Sequence, residues 1–71
     1  MAQAPKIVVN LAKRVRELRD RKGISQERLG EMAGLHRTYI GMIERAEKNI
    51  TLVNLEKVAK ALGVRPSSLI D

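Results

Sequence analysis

Seventy-one residues without a cysteine set the first limits: one small domain with a modest core, no disulfide or thiolate metal site, and a reducing cytoplasm as the expected compartment. Fourteen Lys and Arg against eight Asp and Glu give a net charge of +6 and a pI near 10.3, a balance that suits nucleic acid ahead of acidic membrane but equally suits a merely solvated basic surface. Tyr39 is the sole aromatic residue, too little for a single-strand stacking platform, and no apolar run exceeds Ile7-Val8-Val9, which excludes a membrane span or a signal core.

In chain order, residues 1–5 lack periodicity and read as a flexible tail, and residues 6–71 as one folded unit. Val8, Leu11, Val15 and Leu18, spaced three, four and three, mark one face of a first helix that runs to Lys22 and stops at Gly23. Ser25 is a good N-cap for a second helix carrying Glu27 in its first turn and Leu29 and Ala33 on its inner face. Gly34 ends it, and Leu35 plugs the turn. Gly30, a helix-weakening residue, suits a close crossing with the helix that follows. That third helix turns Ile40 and Ile43 inward and leaves Arg37, Thr38, Tyr39 and Met42 pointing elsewhere. Ser25 to Arg45 is therefore a helix-turn-helix.

A polar connection, Ala46 to Asn49, leads to Ile50 and to Thr51, the N-cap of a fourth helix with the stripe Leu52, Leu55, Val58, Ala59 and Leu62. Gly63 closes that helix, and Pro66 to Ile70 forms a last short one. The sum is an all-α domain of five helices without a strand. Catalysis is excluded by the residues available: one His, no Cys, scattered acids and no phosphate-cradling glycine spacing. No metal and no cofactor is expected. His36, just before the third helix, reads as a cap, a phosphate contact or a plain surface residue.

The stretch LRDRKGISQERLGEMAGLHRTYIGMIERAEKNITLVNLEKVAKALGV resembles the Cro/cI-type (XRE) helix-turn-helix regulators. Within them, HRTYIGMIER followed by EKNITLVNLEKVAKAL looks most like the controller proteins of restriction-modification systems. The resemblance implies a lambda-repressor-like fold and a transcriptional regulator that binds double-stranded DNA, dimeric on a palindromic operator. The third helix would enter the major groove. Arg37 and Thr38 match base-reading positions, with Met42 a third and apolar one. Gln26, Tyr39, Arg45, Lys48 and Asn49 match positions that hold the DNA backbone, where His36 could join them. Arg19 and Glu44 match a structural pair between the first and third helices. The alternatives are a phage or chromosomal repressor of the same type, or an antitoxin-like module whose main partner is protein.

Ala46 departs from the family, which usually carries glycine there. A left-handed alanine costs about 1 kcal/mol, so the third helix is expected to run on and Asn49 to make the turn. A homodimer interface is expected at Val64, Pro66, Leu69 and Ile70, with Leu69 and Ile70 split between interface and core closure. Recognition helices of the two protomers would then lie roughly 34 Å apart. Glu27 and Glu31, four apart on the second helix of a basic protein, are unexpected near phosphates. By resemblance they form an activation patch that touches RNA polymerase.

Overall fold

The computed structural model describes residues 4–71. Five helices follow one another: α1 (Lys6–Lys22), α2 (Gln26–Ala33), α3 (Arg37–Glu44), α4 (Leu52–Leu62) and α5 (Ser67–Ile70). No strand occurs among the described residues. The expected tail falls largely on residues 1–3, outside the described residues, and Pro5 already serves as the N-cap of α1. Among the described residues no helix is long and apolar enough to cross a membrane.

The helix boundaries follow from side-chain chemistry. Ser25 Oγ accepts from the Arg28 N–H at 3.0 Å and Thr51 Oγ1 from the Asn54 N–H at 3.1 Å, each satisfying a donor that the first turn leaves open. Each such cap contributes about 1 kcal/mol. Gly34 takes φ 71 at the end of α2, and the Leu35 N–H then donates back to the Gly30 carbonyl at 2.8 Å. At Gly30 the approach is closer still. A β-carbon there would stand 2.5 Å from the Leu35 carbonyl oxygen, so the turn between α2 and α3 admits no side chain at that position.

Most of the residues that the spacing turns inward meet in the core. Leu11 and Val15 of α1, Leu29 and Ala33 of α2, Ile40 and Ile43 of α3, Leu55, Val58, Ala59 and Leu62 of α4 and Leu69 of α5 form one buried cluster. Helix α1 packs on α3, α4 and α5, while α2 packs on α3 and α4. Val15, Leu29, Ile40, Ile43, Val58 and Leu69 are wholly enclosed, each contributing about 1.5–3 kcal/mol of burial.

Three expectations need correction. Helix α3 does not run on: it ends at Glu44, and Ala46 turns the chain with φ 58. The Ala46 N–H donates to the Ile43 carbonyl at 3.1 Å and the Glu47 N–H to the Met42 carbonyl at 2.9 Å. These paired closing bonds satisfy two end carbonyls, which offsets the strain of a left-handed alanine, and the turn lets Ile50 pack against the core. Asn49 lies beyond that turn in an irregular stretch, exposed. Leu52 is not part of the inner stripe but 83% exposed, because it starts α4 at the rim of the fold. Leu69, placed among the interface residues, is fully inside the protomer. It closes the core, while Val64 and Ile70 are half-buried and Pro66 is exposed.

Candidate nucleic-acid interface

The outward side of α3 is held by a polar knot on its inward side. Glu44, 3% exposed, accepts from Arg19 Nε at 2.7 Å and Nη2 at 3.0 Å, and from Gln26 Nε2 at 3.0 Å. Arg19 Nη1 also donates to the Ile24 carbonyl at 2.9 Å. A buried carboxylate with three donors is fully compensated, and no buried side-chain polar atom lacks a partner among the described residues. The hydrogen bond to Glu44 holds the Arg19 guanidinium above its ordinary pKa, against the opposing effect of burial. The last residue of α3 is thus tied to α1 and to the first turn of α2. The pair expected between Arg19 and Glu44 is present, with Gln26 added to it.

This tether fixes which side chains α3 turns outward. His36 is its N-cap, with Nδ1 accepting from the Thr38 N–H at 3.0 Å, so one ring nitrogen serves the helix and the other remains for solvent or a ligand. Arg37 and Thr38 open the helix and are exposed, as is Arg45 at its end. Together with Gln26 and Gly41 they line one shallow concavity. Gly41 gives that concavity its depth. A β-carbon on it would stand 3.0 Å from Arg45 Nη1 and 3.5 Å from Gln26 Oε1, so the arginine lies across the helix where a side chain would otherwise project.

Tyr39 belongs to a second group on the other flank. Its ring is half-buried, its Oη accepts from Asn54 Nδ2 at 3.1 Å, and Lys48 Nζ lies 5.7 Å from the ring centroid. The Asn54 donor occupies one lone pair of the phenol oxygen and leaves the O–H free to donate outward. Asn49 is in neither group; it faces the start of α1 beside Pro5 and Val8. Met42 is half-buried and does not line the concavity around Gly41. Gly41 and Asn54 were not singled out in the sequence. A glycine inside an eight-residue helix, spaced four from Arg37 and Arg45, was a legible signal; Asn54, on the flank of α4, had none.

The two arginines that line the concavity are each tethered by an acid. Arg37 Nη1 donates to Glu27 Oε2 at 3.2 Å, and Arg45 Nε to Glu47 Oε2 at 3.1 Å. Glu31 has a looser partner, Arg28 at 3.9 Å. Every acid on the α2 face therefore stands near an arginine, which supplies the positive partner two carboxylates in a basic protein need.

Residues 15–69 match the family model described as helix-turn-helix, a span that runs from the middle of α1 to α5. The chain belongs to the Cro/cI-type helix-turn-helix transcriptional regulators. It is 49% identical over 59 residues to the control protein C.BamHI of Bacillus amyloliquefaciens, covering 82% of this chain and 73% of that one. Its fold superposes on the restriction-modification controller protein C.AhdI of Aeromonas hydrophila with a TM-score of 0.84 at 47% identity, covering 87% of this chain and 94% of the other. The P22 c2 repressor, solved in complex with a synthetic operator, is similar at TM-score 0.82 and 33% identity, covering 86% and 92%. In helix-turn-helix repressors the second helix of the motif enters the major groove, and α3 is the second helix of the motif here.

Proposed function

We propose that this regulator is a restriction-modification controller that binds a palindromic operator as a homodimer, each protomer laying α3 in the major groove. The observation that carries the reading is the division of α3 itself: Ile40 and Ile43 are fully enclosed, Glu44 is locked to Arg19 and Gln26, and Arg37 and Thr38 are left exposed at the N-terminal end. Arg37 suits the two acceptors of a guanine, and Thr38 a base edge or a thymine methyl. Gln26, Arg45, Tyr39 and Lys48 are disposed around them as phosphate contacts, with His36 able to reach one through its free nitrogen. Met42 supplies at most an apolar contact.

The duplex bound most tightly in a selection from random sequence tests this reading. Arg37→Ala should cost about 1–3 kcal/mol and relax the preference at one base pair. Lys48→Ala should weaken every duplex alike and lower the salt slope by roughly one. A uniform loss from both substitutions would remove the base-reading role, and affinity indifferent to salt would sink the DNA-binding reading itself.

The second copy is proposed to cover an apolar recess bounded by α1, the start of α4 and the end of α5. Ile7, Ile50, Leu52 and Ile70 line it with Val8 and Leu11, and Leu52, the most exposed large apolar residue of the described chain, is followed in sequence by the exposed Val53. Ile70 is the one residue of the four first expected at the interface that lies there. Burying Leu52, Val53 and Ile7 against their copies removes apolar surface from water that the protomer alone leaves open.

The activation reading of Glu27 and Glu31 narrows to Glu31, since Glu27 is engaged with Arg37. If Glu31 touches RNA polymerase, Glu31→Lys abolishes stimulation of a promoter beside the operator in a purified transcription reaction, with operator affinity equal or raised. Full stimulation by that variant would dispose of the patch.

A further inference from the structure

Arg37 and Glu27 lie ten residues apart, on either side of the α2–α3 turn, and meet at 3.2 Å with 66% of each side chain exposed. So exposed a pair adds little to folding, and that is why its presence on a surface meant for phosphates needs another account. A carboxylate there opposes the polyanion whatever its sequence. Glu27 nevertheless sits in the first turn of α2, where the helix end favours an anion. Its carboxylate hangs on the shorter side chain of the two, and the arginine has the more freedom to lose.

Resting on the base-reading role of Arg37 above, we propose that Glu27 is a positioning residue for Arg37 and a determinant of operator specificity. Its carboxylate takes Nη1. In a guanidinium the Nε–H and one Nη2–H lie parallel on the edge away from Nη1, so that edge stays open for the two acceptors of a guanine. An arginine free of Glu27 has several rotatable bonds and any phosphate within reach to choose from. Tied to Glu27, it is kept over the turn and turned toward the base, and a swing to a phosphate would abandon a partner and bring the remaining carboxylate beside the backbone. Glu27 thus lowers affinity for DNA in general while sharpening the choice of one base pair.

The test uses the tightest duplex from a random-sequence selection, its variants at each base pair, and an unrelated duplex. Glu27→Gln keeps the size and one acceptor oxygen and removes the charge. It should tighten binding to the unrelated duplex and lower discrimination at the Arg37 base pair by roughly three- to tenfold, part of what a bidentate arginine supplies. Glu31→Gln makes the same charge change four residues on, at a carboxylate that lines a concavity with Glu27 and Arg37 but is not bonded to Arg37, and should tighten binding without altering discrimination at that pair. In an Arg37→Ala background the effect of Glu27→Gln on discrimination should vanish. If Arg37→Ala is selective but Glu27→Gln leaves discrimination intact, or if Glu31→Gln reproduces it, Glu27 does not position Arg37. If Arg37→Ala weakens all duplexes equally, the base-reading role fails first, and the positioning role falls with it.

Discussion

Glu44→Ala should lower folding stability by about 1.5–3 kcal/mol, the loss of charge-assisted hydrogen bonds to a buried carboxylate. Three donors converge on that carboxylate, two from the half-buried Arg19 and one from the half-buried Gln26. For a domain of this size the loss is a large fraction of all the stability available. Urea titration followed by far-ultraviolet circular dichroism would show it as a fall in midpoint at constant slope. Replacing both partners with apolar residues, Arg19→Met with Glu44→Leu, should cost far less than either truncation, because no uncompensated charge remains. A Glu44→Ala protein within 1 kcal/mol of the wild type would mean that the knot contributes nothing to holding α3. If the knot does hold α3, the double variant, folded but without the tether from Gln26, should bind its operator more weakly than its stability implies.

Leu69→Asp and Leu52→Asp should fail in opposite ways. Leu69 is wholly enclosed between α5 and the rest of the core, where truncation alone costs about 2–5 kcal/mol and a carboxylate adds its desolvation. That variant should not fold. Leu52, on the rim of the recess, has nothing in its own protomer to lose. Leu52→Asp should keep the far-ultraviolet spectrum and the melting behaviour of a folded chain while sedimentation at micromolar concentration shifts from dimer to monomer. A folded Leu69→Asp would contradict the packing described for α5. A Leu52→Asp protein that still sediments as a dimer would move the interface away from the recess.

Much of the fold could be read from the chain because its boundaries are set locally. Ser25 and Thr51 cap helices with their own oxygens, and Gly23, Gly34 and Gly63 end them in a conformation that other residues resist. What could not be read depends on partners distant in sequence. The end of α3 at Ala46 is decided by two closing hydrogen bonds and by where Ile50 must go, against the intrinsic preference of alanine. The stripe on α4 includes Leu52 by spacing alone, and spacing does not know that α1 and α5 stop short of it. At the interface, Arg37 and Thr38 were placed by the motif and are exposed where it puts them. Glu27 was seen as an acid with local reasons to be there, and its reach across the turn to Arg37 appears only in three dimensions. Asn54 is a fourth-helix surface residue until the fold sets it against Tyr39.

Tyr39, the single aromatic residue of the chain, makes the protein its own optical probe. All near-ultraviolet absorption and emission comes from one ring, seated where α3 meets α4, with its hydroxyl on Asn54 and a lysine ammonium over its face. The near-ultraviolet dichroic band therefore reports the seating of Tyr39 on α3, while the far-ultraviolet band reports all five helices. Coincident unfolding curves from the two would establish a single cooperative unit. If the near-ultraviolet signal fades first, the distance between the curves measures how much more easily α3 leaves α4 than the rest of the fold comes apart.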